Sequence, residues 1–318
     1  MAKAGVCKTP IVGPIPTVAS VLLLLVVACQ SAPLVAPPAF QASSDPDLTL
    51  VFAGAPLPVL QDELTSDPDD DDTHKPAISP AAGAFIRRST NSIVLRAPTP
   101  PQGPRRVGIQ VGHWQTDDVP PELHKLIGAS GAIWGDVTEV GVNMDIAKRV
   151  TALLTKQGVV VDLLPTTVPE GYVADAFLAL HADSDGTGEL SGFKLSHSKL
   201  RGPFEDRLVA DLHDAYAKGT GMDYDGTQVG VDMRYYYAFN WGRFQHAISP
   251  HTPAAILEMG YLSSDDDRRV LTEQPDRVAA AIASGLLRFL AETPRAQIFQ
   301  NDIVVPLPPP VAAPTSTP

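Results

Sequence analysis

Glu139-Val-Gly-Val-Asn-Met-Asp-Ile-Ala-Lys-Arg-Val-Thr-Ala-Leu-Leu-Thr-Lys-Gln157, followed by Gly158 and Val159-Val-Val-Asp-Leu163, decides the fold class. Val140, Met144, Ala147, Val150 and Leu154 recur at helical spacing, which predicts an amphipathic helix over 139–157 that Gly158 stops. The β-branched run 159–163 reads as a strand, and Val107–Val111 ahead of the helix reads as another. Strand, helix, strand is a βαβ unit, and its right-handed crossover makes the two strands parallel. Further strands are expected at 177–180, 192–195 and 254–257, with helices at 204–217 and 276–290. The fold class is therefore α/β, a single three-layer domain over 105–293 with a largely parallel central sheet flanked by helices.

The flanks read differently. Of 318 residues, 31 are proline, and prolines and acidic runs cluster outside the central stretch, so one domain with long flanks is expected rather than two domains. Net charge is -12, which argues against a nucleic-acid partner, because phosphate binding needs a basic surface. Lys3 and Lys8 precede the apolar core Val21-Leu-Leu-Leu-Leu-Val-Val-Ala28, too short and too proline-flanked for a membrane span and suited to an export signal. Val26-Val-Ala-Cys29 resembles a bacterial lipoprotein cleavage box. That resemblance implies removal of a lipoprotein-type signal peptide, 1–28, and lipidation of Cys29. The product would be an exported, membrane-anchored lipoprotein facing the cell wall. Residues 29–104, with Asp67-Pro-Asp-Asp-Asp-Asp72, carry no sustained period and predict a disordered Pro/Asp-rich tether. Within it, the apolar patches 48–52 and 93–95 are the places where short strands could instead join the domain. The tail 294–318, with Pro306-Leu-Pro-Pro-Pro310, is expected to be disordered.

Both cysteines, Cys7 and Cys29, precede the domain, so any metal in it must be held by histidine and carboxylate. Four residues stand where an α/β sheet gathers ligands, at the carboxyl ends of strands and the start of a helix. His113 closes Val107-Gly-Ile-Gln-Val-Gly-His113, His181 closes Ala176-Phe-Leu-Ala-Leu-His181, Glu258 closes Ala254-Ala-Ile-Leu-Glu258, and Glu139 opens the helix. Two imidazoles and one carboxylate make a catalytic zinc set with a position left for water, and a second carboxylate can handle protons.

These four segments occur in the order Gly112-His113, Glu139-Val-Gly-Val-Asn143, Leu180-His181-Ala182-Asp183 and Glu258-Met-Gly-Tyr-Leu-Ser-Ser264. In that order they resemble the zinc-dependent N-acetylmuramoyl-L-alanine amidases of bacterial cell-wall metabolism, the type-3 amidase family. The resemblance implies Zn2+ held by His113, Glu139 and His181, with Glu258 as the catalytic carboxylate. It also implies peptidoglycan as partner and substrate, cut at the amide between N-acetylmuramic acid and L-alanine; a monomer is expected. The alternatives are a same-fold zinc amidase or peptidase acting on another amide, and a non-catalytic wall-binding lipoprotein with structural zinc. The chain departs from the family pattern where Gly-His-Gly-Gly becomes Gly112-His113-Trp114-Gln115, and in a long loop, 114–138, that carries His124 and Trp134.

The remaining candidates take quieter roles. His124 is expected in solvent, and His197 and His213 are expected to be structural. His246 or His251, just ahead of the Glu258 strand, is a candidate oxyanion helper against a plain solvated role. Tyr235-Tyr-Tyr-Ala-Phe-Asn-Trp241 is expected to be a strand with aromatic core contacts, a sugar-stacking platform being the sharper reading.

Overall fold

The apolar runs around the helix become neighbouring strands of one sheet. The computed structural model describes residues 86–88, 92–198 and 204–306, all within the compact unit Pro46–Pro318. Its strands are β1 (Ile86–Arg88), β2 (Ser92–Leu95), β3 (Arg106–Val111), β4 (Ile133–Trp134), β5 (Val137–Thr138), β6 (Val160–Leu164), β7 (Ala176–Asp183), β8 (Lys194–Ser196), β9 (Ala254–Tyr261) and β10 (Ile303–Pro306). Its helices are α1 (Glu139–Lys156), α2 (Glu205–Thr220), α3 (Val231–Arg234), α4 (Asp265–Glu273), α5 (Pro275–Glu292) and α6 (Arg295–Ile298). The central sheet runs β6-β3-β7-β9-β8, with the first four strands parallel and β8 antiparallel to β9. This is the expected α/β class with a mostly parallel sheet flanked by helices.

Period-2 alternation divides the core between the two faces of the sheet. Val107, Ile109 and Val111 of β3, Leu178 and Leu180 of β7, and Leu257 and Met259 of β9 pack with α1, α2 and α5. Phe177 and Ala179, with Ala254 and Ile256, point the other way and are covered by Met233, Ala238, Phe239 and Ile248. All the long helices that pack on the sheet therefore lie on one face. The other carries α3 and irregular chain, and the functional residues fall at its edge.

Helix α1 starts where Thr138 Oγ1 accepts the Gly141 N–H at 3.3 Å, a side-chain N-cap. Its buried face is Glu139, Val142, Asn143, Ile146, Ala147, Val150 and Leu154. The expected stripe is thus shifted, with Val140 and Met144 on its margin. Asn143 and Glu139 stand inside it because they serve the site, a polar role that a search for apolar periodicity passes over. Burying Ile146, Val150 and Leu154 contributes roughly 1.5–3 kcal/mol each relative to exposure.

Order extends past both expected boundaries, 105 and 293. β1, β2 and β10 form an antiparallel sheet in the order β1-β2-β10, with Ile303 opposite Leu95. The patch at 93–95 therefore does form a strand, and the proline-rich tail contributes α6 and β10. The physical reason is burial: Leu95, Ile298, Phe299 and Ile303 are all enclosed. A polar clasp adds to it. Arg295 donates to both carboxylate oxygens of Asp175 at 2.7 and 2.6 Å, and to the carbonyls of Pro101, Gly103 and Pro104. Arg105 Nε lies 2.9 Å from the same carboxylate, and the backbone N–H of Arg106 donates to it at 2.7 Å. Asp175 is wholly buried, so Asp175→Ala leaves two guanidinium groups without their partner. Chemical denaturation should show a loss of about 3–5 kcal/mol. A loss under about 1 kcal/mol would mean that the clasp is incidental.

The signal segment, Cys29, the patch at 48–52 and the rest of the tether up to residue 85 lie outside the described residues, as do 307–318. Among the described residues no helix is long and apolar enough to cross a membrane.

Candidate metal centre

The ends of β3, β7 and β9 bring the three sequence-distant groups together. The Gly112 N–H donates to the Leu180 carbonyl at 3.0 Å, which carries the β3–β7 ladder one step beyond β3. His181 is opposite Glu258 in the β7–β9 register, and the register shifts between His181 and Asp183. Both residues lie inside their strands, which run on to Asp183 and Tyr261 rather than closing at the functional residue. With the ladder broken there, the Ala182 N–H donates to Glu139 Oε1 at 3.2 Å instead.

His113 follows β3 with φ of 63°, and Gln115 has φ of 60°. Both occupy the left-handed region, which costs a non-glycine residue about 1–2 kcal/mol. Gln115 thus stands in a conformation that suits the glycine of the family pattern. At Gly112 the constraint is space, because a Cβ there would lie 2.4 Å from the His181 ring. The two imidazoles meet edge to face, with centroids 5.1 Å apart.

Glu139 is the hub. Its Oε2 accepts the Ala132 N–H at 2.8 Å and lies 3.4 Å from His113 Nε2. Its Oε1 lies 3.0 Å from His181 Nδ1 and accepts from Asn143 Nδ2 at 3.3 Å. Burial alone would raise its pKa, but the His181 hydrogen bond and the charges of both histidines outweigh that and lower it to about 2. His113 Nδ1 faces the Ala129 carbonyl at 3.0 Å. A carbonyl only accepts, so Nδ1 carries a proton, and Nε2 is the ring nitrogen turned to Glu139. Ligand atoms of His113, Glu139 and His181 all lie within 4.8 Å of one another, so the group can hold one metal ion. Two nitrogens and a carboxylate of this kind fit zinc.

Glu258 lies beside this group. Burial foremost, together with the negative charges of Glu139 and Asp183, pushes its pKa up to about 7 against the opposing pull of His181. Its Oε2 is enclosed and has no hydrogen-bond partner, unusual for a buried carboxylate and a sign of a group that acts on something other than the protein. Across β9, buried Lys194 is opposite Glu258 and contacts Asp183 through its ammonium group.

The other histidines among the described residues are engaged elsewhere. His124 is exposed. His246 Nδ1 bonds Glu122 at 2.8 Å, and His251 Nε2 faces the Asn301 carbonyl at 3.1 Å, so each oxyanion candidate has a ring nitrogen committed to another partner. His197 lies 3.2 Å from Asp206, and His213 packs edge to face on Tyr224. The aromatic run 235–241 is not a strand: it follows α3 and holds a 3-10 turn at Tyr237–Phe239. Three polar side chains there and nearby, Gln110 and Asn143 buried and Tyr236 half-buried, escaped the sequence reading. Tyr236 Oη lies 3.0 Å from His181 Nε2 and 2.8 Å from Gln110 Oε1, and Asn143 bridges Glu139 to the Gly112 carbonyl. Asn143, four residues after Glu139, was the one with a signal, since i and i+4 share a helix face.

A sequence model of the N-acetylmuramoyl-L-alanine amidase family (Amidase_3) matches residues 107–288, more than half of the chain. The chain belongs to this amidase family. The matched span contains His113, Glu139, His181 and Glu258. Solved structures that the chain is similar to include two amidases at low identity. AmiC2 of Nostoc punctiforme is 23% identical, with 60% of this chain and 100% of that one covered and a TM-score of 0.43. Ami1 of Mycobacterium smegmatis is 19% identical, with 59% and 98% covered and a TM-score of 0.45. No curated protein matches the chain. As a cell-wall amidase it has peptidoglycan as the consistent substrate and an extracytoplasmic location as the expected one.

Proposed function

We propose that this amidase is zinc-dependent and hydrolyses the amide between N-acetylmuramic acid and L-alanine in peptidoglycan, with His113, Glu139 and His181 as metal ligands and Glu258 as the catalytic carboxylate. What supports the reading is the meeting of three donors, from two strand ends and a helix start, within 4.8 Å, beside a carboxylate with one enclosed oxygen that has no hydrogen-bond partner. Zinc held there would polarise the scissile carbonyl and lower the pKa of water. The protein's own contribution is position and proton transfer. Glu139, anchored by the Ala132 and Ala182 N–H groups, fixes the donor set. Glu258 takes the proton of the attacking water and delivers it to the leaving L-alanine nitrogen, while the broken bond leaves a carboxylate on the muramic acid. A carboxyl pKa raised toward neutrality suits a group that must first accept and then donate.

Elemental analysis of the purified protein tests the metal part. One zinc per chain is expected, with activity removed by a chelator and restored by zinc. An active protein that carries no metal would refute it.

Residues 1–28 are proposed as a lipoprotein signal and Cys29 as the lipidated anchor, with a tether and a monomeric domain beyond it. Several acyl chains hold a protein firmly, because each buried CH₂ contributes about 0.8 kcal/mol. Intact-mass analysis of the membrane fraction should find a lipidated N-terminal Cys29, and Cys29→Ser should release the protein. An unmodified cysteine in that fraction would overturn the anchor.

A further inference from the structure

Behind His181 runs a chain of polar groups, buried at Gln110 and Thr166 and half-buried at Tyr236 and Tyr237, whose proton directions follow from its far end. The Thr166 carbonyl can only accept. It receives Gln110 Nε2 at 2.7 Å and Tyr237 Oη at 2.6 Å, so the Gln110 amide nitrogen must face it and the Tyr237 proton points to it. The second proton of Gln110 Nε2 goes to Tyr237 Oη at 2.8 Å. Gln110 Oε1 is thereby turned toward Tyr236, and a carbonyl oxygen again only accepts. The single phenolic proton of Tyr236 is therefore directed to Gln110 Oε1 at 2.8 Å, in preference to Tyr237 Oη at 3.3 Å. What Tyr236 Oη has left for His181 Nε2, 3.0 Å away, is a lone pair. The ring nitrogen facing it must carry a proton.

We infer that Thr166, Gln110 and Tyr236 form a lock that keeps a proton on His181 Nε2, so that Nδ1, which bonds Glu139 Oε1 in the metal-free protein, is the ring nitrogen that a metal ion would take. Tyr236 and Gln110 are then positioning residues, acting on the metal through His181. Gln110 is wholly buried on the face of the sheet that otherwise carries Phe177, Ala179 and Ile256. A polar side chain in such a place is costly unless fully satisfied, and each polar atom of Gln110 has a partner. The ring of Tyr236 also meets that of His181 edge to face, centroids 5.5 Å apart, which fixes the plane of the imidazole as well as its proton.

The inference rests on the metal-centre reading above, and its test separates the two. Long-range proton–nitrogen NMR of the ¹⁵N-labelled full-length protein, with His181 signals assigned by their loss in His181→Ala, reports the ring protons directly. Wild type should show a slowly exchanging proton on Nε2, with and without zinc. Tyr236→Phe should lose that slow exchange and bind zinc about 10–100-fold more weakly, the usual cost of removing an outer-shell partner. Gln110→Met, which removes the acceptor for the Tyr236 proton, should give the same two changes. Tyr237→Phe should give neither, because Thr166 still orients Gln110; a general loss of packing would affect all three variants alike. A wild-type His181 with a bare Nε2, or Tyr236→Phe with unchanged zinc affinity, would overturn the lock. If wild type binds no zinc, the metal reading falls, and the ring protons still decide the lock on their own.

Discussion

Glu258→Gln is expected to lower peptidoglycan hydrolysis by roughly 10²–10⁴, the usual contribution of a positioned acid/base group, while zinc content stays at the wild-type level. The substitution keeps the size of the side chain and removes its capacity to take a proton. Glu258 lies opposite His181 in the sheet but outside the group of three donors, so metal binding does not depend on it. Stability should not fall, because the Glu258 Oε2 atom makes no hydrogen bond that the amide would forfeit, and the amide form avoids burying a charge. Unchanged turnover would remove Glu258 from the mechanism; lost zinc would make it a ligand.

His181→Ala is expected to lose zinc and activity together. The change removes one of three donors and also leaves Glu139 Oε1 and Tyr236 Oη without the imidazole between them. Glu139 loses the hydrogen bond that does most to offset its burial, so the carboxylate that remains beside His113 is a poorer anion. Elemental analysis and turnover of the same sample check this. Full zinc occupancy in the variant would move the metal away from His181.

Much of this site is readable in the chain itself, for a definable reason. β3, β7 and β9 are buried on both faces, so they stand out as apolar runs, and a His or Glu at the end of such a run is conspicuous. Gln110 is inconspicuous by the same logic, since one polar residue inside Val107–Val111 looks like a break in the run. Only the three-dimensional meeting with Thr166 and Tyr236 gives it a role. The run at 235–241 misleads because aromatic residues favour strands, yet its hydroxyls are turned to Gln110, Thr166 and His181 and its backbone turns with them. The ordered ends were concealed by composition. Proline and aspartate mark 29–104 as a tether, while a few residues such as Leu95 and Ile303 pair across more than two hundred positions. Contacts of that range leave no local period to detect.

Mass analysis of the fragments released when wild-type protein digests purified peptidoglycan, before and after chelation, tests the central claim most directly. The account predicts stem peptides that begin with a free L-alanine amine, glycan strands bearing free muramic acid carboxyl groups, and neither product once zinc is removed. Zinc-loaded protein that binds peptidoglycan yet frees no new alanine amine, or that cuts a different amide, would contradict it.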